Sequence, residues 1–374
     1  MQWNGSSGMS LRNCRDLQRL KKIDASALAD ELRMSVAKFR AWVRKGDARY
    51  NAPKIDFSTG KKRVFDVPFY RDRRRFRAIN KFLQRVHSHH RCAHGGITKR
   101  SSVSSALRHV GNRFIWTTDV KDCFLSISND IFNSQLKQLG LCDSQVELLA
   151  RLFLCRNRLP QGSPTSNAAL NIFFWHLDYR MVEYCGKRKL CYTRMADDIV
   201  ISGRKEEAGE SASRKLHAMI AEADLNVNLS KWEKLGRQSS PEHTLIHSLN
   251  VARGILELSS VQQSHAKTVA NRTIGACRSL QISSFESAVG YRNQLHGWYH
   301  YARQTQDSIT QELRIAISQS DQLVRQRLEN EHISVKGWKW WVHPHCKQVA
   351  RLWQKRNDCK VVDKIAQQEL EVAQ

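Results

Sequence analysis

Apolar residues recur along this chain with two different periods, and the switches between them sketch an order of helices and strands. Over Asp24–Lys45 the apolar positions Leu28, Leu32, Val36, Phe39 and Val43 follow helical spacing, and Gly46 supplies a stop. Lys61–Pro68 alternates like a short strand, after the turn residues Ser58, Thr59 and Gly60. A helical period returns over Asp72–His89, with Phe76, Ile79, Leu83 and Val86 on one face and arginines elsewhere. Arg113–Val120 is β-branched and aromatic, which predicts a buried strand ending at an acid. Helices are predicted over Asp130–Leu139 and Gln145–Cys155. Ser163–Pro164 reads as the start of a long helix reaching Val182, with Ser as cap and Pro at the first helical position. Leu190–Arg194 and Ile199–Ser202 then read as two short strands flanking Met195–Asp198, a tight acidic turn. A helix over Glu206–Ala223, short strands near Asn226–Lys231 and His243–Leu258, and a mostly helical stretch from Val261 complete the pattern.

This order predicts an α+β fold, with a sheet gathering acids at one edge and helices behind it. A chain of 374 residues is long enough for two or three packed units. No run of about 18 apolar residues occurs, so no membrane-spanning helix is predicted, and the first residues lack the apolar core of a secretory signal. Ten cysteines without a CxxC pair predict neither a zinc site of the usual spacing nor a disulfide framework. Reduced thiols in a cytoplasm are the plain expectation.

Charge changes the picture most. Lys and Arg total 61 against 35 Asp and Glu, a formal net charge of +26. Such a field favours a polyanionic partner through phosphate contacts. The charge is spread along the chain rather than gathered on one amphipathic helix, which favours nucleic acid over an anionic membrane surface. The run Arg71, Arg73, Arg74, Arg75 and Arg77 is either a solvated helix face or a phosphate-contacting one, and the charge favours contact. Trp298, Trp338, Trp340 and Trp341, set among Lys336, Lys339 and Lys347, suit either base stacking or a helical core.

The acids carry the chemistry. Phosphoryl transfer to a 3′-hydroxyl uses two Mg2+ ions about 4 Å apart, and Mg2+ needs only one or two carboxylates beside substrate phosphates. Asp119 ends a predicted strand and Asp197–Asp198 occupy a predicted hairpin turn, so adjacent strands would bring the three together. An isolated Asp-Asp dipeptide is more often a solvated turn pair; the flanking apolar strands argue for the hairpin. HSHHRCAH, with His87, His89, His90, Cys92 and His94, has no second ligand pair at finger spacing and is not expected to hold a metal. His343, His345 and Cys346 are read the same way, and Cys123 has no His or Asn arrangement that would make it a nucleophile.

TDVKDCFLSIS (Thr118–Ser128), LPQGSPTSN (Leu159–Asn167) and YTRMADDIVIS (Tyr192–Ser202) resemble the motifs of bacterial reverse transcriptases, in the family's order. The resemblance runs from about Tyr50 to Ser260 and is nearest the retron and related phage-defence enzymes. It implies a right-hand polymerase with fingers, an antiparallel palm sheet and a helical thumb. It divides the chain into an N-terminal helical extension (1–49), fingers and palm (50–260) and a basic helical thumb that binds RNA (261–374). By resemblance Asp119, Asp197 and Asp198 hold two Mg2+ ions, with Mn2+ able to substitute. Phe124 is the steric gate against a 2′-hydroxyl, and Gln161 and Gly162 touch template and incoming nucleotide. Lys231 protonates pyrophosphate, and Arg63 clamps the triphosphate. LHGWYHYA (Leu295–Ala302) resembles the thumb segment.

Departures are also visible. Met195 replaces the usual aromatic before Ala-Asp-Asp. Ser105–His109 reads SALRH where retron enzymes have Asn-Ala-x-x-His, and Ile246, His247 and Ser248 stand where they have Val-Thr-Gly. The expected function is RNA-directed DNA synthesis from dNTPs on a dedicated structured non-coding RNA, in antiphage defence, yielding a DNA product. No membrane partner is expected; an effector protein or a homo-oligomer is compatible with the reading. The alternatives are a defence polymerase making repetitive or untemplated DNA, and a non-catalytic RNA-binding scaffold.

Overall fold

The computed structural model describes residues 15–57, 60, 62–86, 89–229, 233–236, 245–251, 254–279, 285–305 and 307–330. They fall into two compact units, Met1–His247 with Ala252–Gly254, and Ser248–Val251 with Ile255–Gln374.

The first unit opens with α1 (Arg15–Leu20), α2 (Ala25–Glu31) and α3 (Val36–Arg44). The single helix predicted over Asp24–Lys45 is therefore two. Asp24 caps α2 by accepting from the Ala27 amide, Ser35 caps α3 by accepting from Lys38, and Arg33 between them turns to φ 52°. The apolar period survives the break because Leu28, Phe39 and Val43 bury in the same core; period reports burial, not helix continuity. A two-stranded ribbon follows, β1 (Lys54–Asp56) against β2 (Arg63–Phe65), with Arg63 opposite Asp56. Then α4 (Tyr70–Val86) buries Phe76, Ile79 and Leu83, as its period predicted. It is tied to α3 by the Trp42 indole, which donates to Asp72 at 2.6 Å.

After α5 (Ser102–Ala106) comes the four-stranded antiparallel sheet. It contains β3 (Phe114–Asp119), β4 (Cys191–Met195), β5 (Asp198–Gly203) and β6 (Glu233–Gly236), in the order β4-β5-β3-β6. Between β3 and β4 lie α6 (Cys123–Ser126), α7 (Asn129–Gln138), α8 (Asp143–Phe153), α9 (Ser166–Phe173) and α10 (Trp175–Gly186); α11 (Glu206–Ala221) follows β5. The long helix predicted from Ser163–Pro164 to Val182 is a second correction. It starts at Ser166, because Ser163 Oγ pairs with Thr165 Oγ1 at 3.2 Å instead of capping a helix. It also breaks at Phe174, whose ψ of 0° redirects the chain. The redirection lets α9 bury nearly every residue while α10 turns Trp175, Asp178, Met181 and Cys185 inward. Of the strand expected near Asn226–Lys231, the described residues 226–229 form one bridge, Val227 with Val120. The unit's described residues end in β7 (Leu245–Ile246), His247 and Gly254. Its core joins the N-terminal helices to the sheet helices, with Phe132 and Phe173 stacked at 6.2 Å.

The second unit pairs β8 (Leu249–Asn250) with β9 (Glu257–Leu258) and continues into α12 (Ser260–Arg278), α13 (Phe285–Ala302) and α14 (Ile309–Asn330). Ser259 and Gln262 form a capping box on α12. Buried Asp307 accepts from the Leu258 amide at 2.9 Å and from Gln263 Nε2 at 2.7 Å, locking strand to helices. Trp298 lies on α13, half-buried, with its ring 5.4 Å from that of the exposed His265. No helix among the described residues is long and apolar enough to cross a membrane. Trp338, Trp340, Trp341 and the His343–Cys346 segment lie outside the described residues.

Candidate active site

The β3–β5 register sets Asp119 directly opposite Asp198, which in an antiparallel pair puts their Cα atoms about 4.5–5.5 Å apart. In the β4–β5 hairpin Met195 faces Asp198, leaving Ala196 and Asp197 as a two-residue turn, with Ala196 at φ 58°. Positive φ at this place matches the right-handed twist of the strands it joins. The carbonyls of Asp119 and Asp197 are held by the amides of Asn228 at 2.9 Å and Val120 at 3.3 Å. Asp119 is 6% exposed and the Asp198 side chain 55%, so a sheltered carboxylate faces an open one.

Among the described residues no three His, Cys, Asp or Glu side chains already form a metal cage. Mg2+ does not need one, since it takes one or two carboxylates and keeps waters and phosphates. Hard oxygen donors from facing strands and the adjacent turn fit that preference.

The hairpin is propped by residues that sequence reading passed over. Arg194 and Asp178 are fully buried and paired, Nη2 to Oδ2 at 2.6 Å. Burial works against the Arg194 charge, but Asp178 outweighs it and holds the guanidinium above its ordinary value. Asp178 also accepts from the Tyr192 hydroxyl at 2.9 Å. Arg194 in turn donates to the Ala196 carbonyl at 2.8 Å and to Asn171 Oδ1 at 3.1 Å. Thus α9 and α10 hold the turn that carries Asp197. From the other side, the Arg194 amide donates to the Cys92 carbonyl at 2.9 Å, and the His94 amide to the Arg194 carbonyl at 2.7 Å. A Cβ on Gly95 would clash with the Ala196 backbone nitrogen, so only glycine fits there. The His- and Cys-rich segment supports the turn through its backbone; its Gly95–Gly96 pair was the available signal.

A cavity of about 730 Å³ in the same unit is lined by Phe124, Gln161, Gly162 and Asn167 together with Val67, Arg73 and Arg77. Three of the predicted nucleotide-contacting residues are therefore brought together. Gly162 sits at φ 111°, a conformation that L side chains avoid. The loop before it is anchored by Asp66, fully buried between Arg156 at 2.6 Å and Arg158 at 3.0 Å, and by the Asp66 amide donating to the Gln161 carbonyl at 2.8 Å. Arg63 is exposed on the ribbon and does not line this cavity. Of the arginine run on α4, Arg73 and Arg77 face the cavity, whereas Arg75 is engaged by Asp72 at 3.1 Å and lies over the Trp42 ring. Lys231 lies outside the described residues.

A buried polar chain flanks the hairpin. His109 Nε2 meets Thr193 Oγ1 at 2.7 Å and its Nδ1 meets Ser202 Oγ at 2.7 Å. Ser105 Oγ lies 2.9 Å from Thr193 Oγ1 and 3.1 Å from His247 Nε2. Burial keeps both rings neutral, pushing His109 down to about 3 and His247 to about 4. Burial and the nearby Asp197 raise the Cys123 thiol, leaving it protonated and inert.

Residues 37–249 match the family described as Reverse transcriptase (RNA-dependent DNA polymerase). The chain belongs to this reverse transcriptase family. It is 28% identical over 203 residues to the Retron Ec86 reverse transcriptase of Escherichia coli, covering 53% of this chain and 63% of that enzyme. It is 30% identical over 207 residues to the Retron Mx162 reverse transcriptase of Myxococcus xanthus, covering 48% of this chain and 42% of that one. The match spans less than two thirds of either relative. Among solved structures, apo telomerase from Candida Tropicalis is similar at a TM-score of 0.48 and 11% identity, over 78% of this chain and 60% of that one. The retron relatives agree with the resemblance carried by the three sequence motifs, and the mixed helical and antiparallel architecture is that of a reverse transcriptase domain.

Proposed function

We propose that this reverse transcriptase copies a dedicated structured RNA into DNA from dNTPs, as a retron-type enzyme of antiphage defence in the cytoplasm. The observation that supports it most is the register that sets Asp119 against Asp198 with Asp197 in the adjoining turn. When bound, two Mg2+ ions, or Mn2+ in their place, supply activation of the primer hydroxyl and stabilisation of the leaving pyrophosphate. The three aspartates would hold them. Phe124 excludes a 2′-hydroxyl from the cavity by bulk. Gln161 and the Gly162 backbone orient the base pair being formed, while Arg73 and Arg77 neutralise phosphate. In this reading Arg63 and Lys231 keep the triphosphate roles that the family resemblance assigns, and the helical second unit is a thumb grasping RNA. The net charge of +26 suits that polyanionic partner.

Replacing Asp197 and Asp198 with Asn should abolish metal-dependent dNTP incorporation and leave RNA binding intact, because the carboxylates do not bind phosphate as cations do. Undiminished synthesis by the double variant would sink the assignment. Sequencing RNA and DNA that co-purify with the parent should yield DNA complementary to one RNA. Repetitive or untemplated product would move the enzyme to the alternative defence class.

A further inference from the structure

Two positions at which this sequence departs from the retron signatures meet in the fold. Ser105 stands in place of an asparagine and His247 in place of a threonine, 142 residues apart, and their side chains touch at 3.1 Å. A short side chain replaces a long one at the first position and a long one replaces a short one at the second, so their combined reach is kept. The result is an imidazole where the signature has only a hydroxyl, and its Nδ1 lies 3.9 Å from Oδ2 of Asp198.

The proton order of the buried chain sets which way that imidazole points its donor. Asn112 Nδ2 donates to Ser202 Oγ at 2.8 Å. Ser202 can then give its proton to His109 Nδ1, His109 Nε2–H to Thr193, Thr193 to Ser105, and Ser105 to His247 Nε2. Each neutral ring and hydroxyl in that sequence donates once and accepts once. His247 is left with its proton on Nδ1, facing a carboxylate that can only accept. The reverse order would turn the Nδ1 lone pair against Asp198. Ser105, His109, Thr193 and Ser202 are all 0% exposed, so no water competes for these bonds. At 3.9 Å the last contact is longer than a hydrogen bond, an electrostatic approach of donor to carboxylate.

We propose that His247 is a positioning residue for Asp198, held by Ser105 and the buried chain so that its Nδ1–H keeps this carboxylate turned for a divalent cation. The inference rests on the polymerase reading above, with Asp198 a metal-holding acid. Groups behind metal-holding side chains set affinity, and their loss costs about tenfold or more.

The test uses the full chain. His247→Ala should raise the Mg2+ concentration for half-maximal synthesis by about tenfold, with the KM for dNTP changed by less than about twofold. Mn2+ binding to the protein without substrate, read by electron paramagnetic resonance, should weaken by the same factor. Ser105→Ala should shift both readouts in the same direction. The double variant should add little beyond His247→Ala, since the two residues act as one unit. His247→Gln, which keeps an acceptor and a donor, should restore most of the affinity. Unchanged Mg2+ half-saturation and Mn2+ binding in His247→Ala would overturn the proposal, as would a loss of thermal stability with metal affinity intact. Should His247→Ala not fold, Ser105→Ala and His247→Gln decide by the same two measurements. A parent that binds Mn2+ but makes no DNA would overturn the polymerase reading alone, and the Mn2+ titrations of the variants would still decide the role of His247.

Discussion

Replacing Asp178 with Ala removes the carboxylate that pairs with the Arg194 guanidinium, at side-chain exposures of 0% for Arg194 and 1% for Asp178. Breaking a buried pair from one side costs about 3–5 kcal/mol, because a charge stays buried without compensation. The Tyr192 hydroxyl, which donates to Asp178 at 2.9 Å, loses its acceptor in the same step. Buried, such a group adds about 1–3 kcal/mol unless water reaches it. Since whole-domain stability is about 5–15 kcal/mol, urea unfolding should show most of it gone. The informative partner is Asp178→Leu with Arg194→Met, which removes both charges and keeps the volume. That exchange should bring stability back to within about 1–3 kcal/mol of the parent, the shortfall being the Tyr192 hydroxyl left without its acceptor. Activity should not return with it, because the Ala196 carbonyl in the Asp197 turn has lost the donor that reached it at 2.8 Å. A cost of less than about 1 kcal/mol for Asp178→Ala, or polymerisation at the parental rate by the apolar double variant, would refute this role of the pair.

Three further outcomes are expected. Phe124→Ala should reduce the preference for dATP over ATP by about tenfold or more, a single side chain's worth of steric discrimination; unchanged discrimination would make Phe124 a core residue. Arg73→Gln with Arg77→Gln should lower the slope of log RNA affinity against log salt by about 1.4–1.8 units if both touch phosphate, whereas Arg75→Gln, already engaged by Asp72 and Trp42, should not change it. Acid should destabilise the fold through His109, whose pKa is pushed down to about 3 in the fold from an ordinary 6.5. Between those values the unfolded chain binds the extra proton. Stability is therefore full above about pH 6.5 and declines as pH falls toward 3, reaching about 2 kcal/mol of loss at pH 5. His109→Gln should flatten the urea-measured pH dependence between pH 7.5 and 5 in part, since the other buried histidines titrate with the same sign.

The primary structure by itself determined the elements that local pattern governs. The arginine-rich helix with Phe76, Ile79 and Leu83 inward, the strand ending at Asp119 and the hairpin around Asp197–Asp198 were all legible, because burial on one face imposes a period and a tight turn imposes its residues. Helix breaks were not legible: the chain stops at Arg33 and Phe174 although the apolar period runs through both, since packing rather than propensity decides where a helix turns. Nor could local pattern reveal partners distant along the chain. The Asp119–Asp198 register, the Arg194–Asp178 prop and the touch between Ser105 and His247 join residues from 16 to 142 positions apart. Such pairings are set by the closing of the sheet and the helices behind it, and a linear string carries no distance between them. The acids could therefore be named from sequence, but what aims them was decided only when the chain folded.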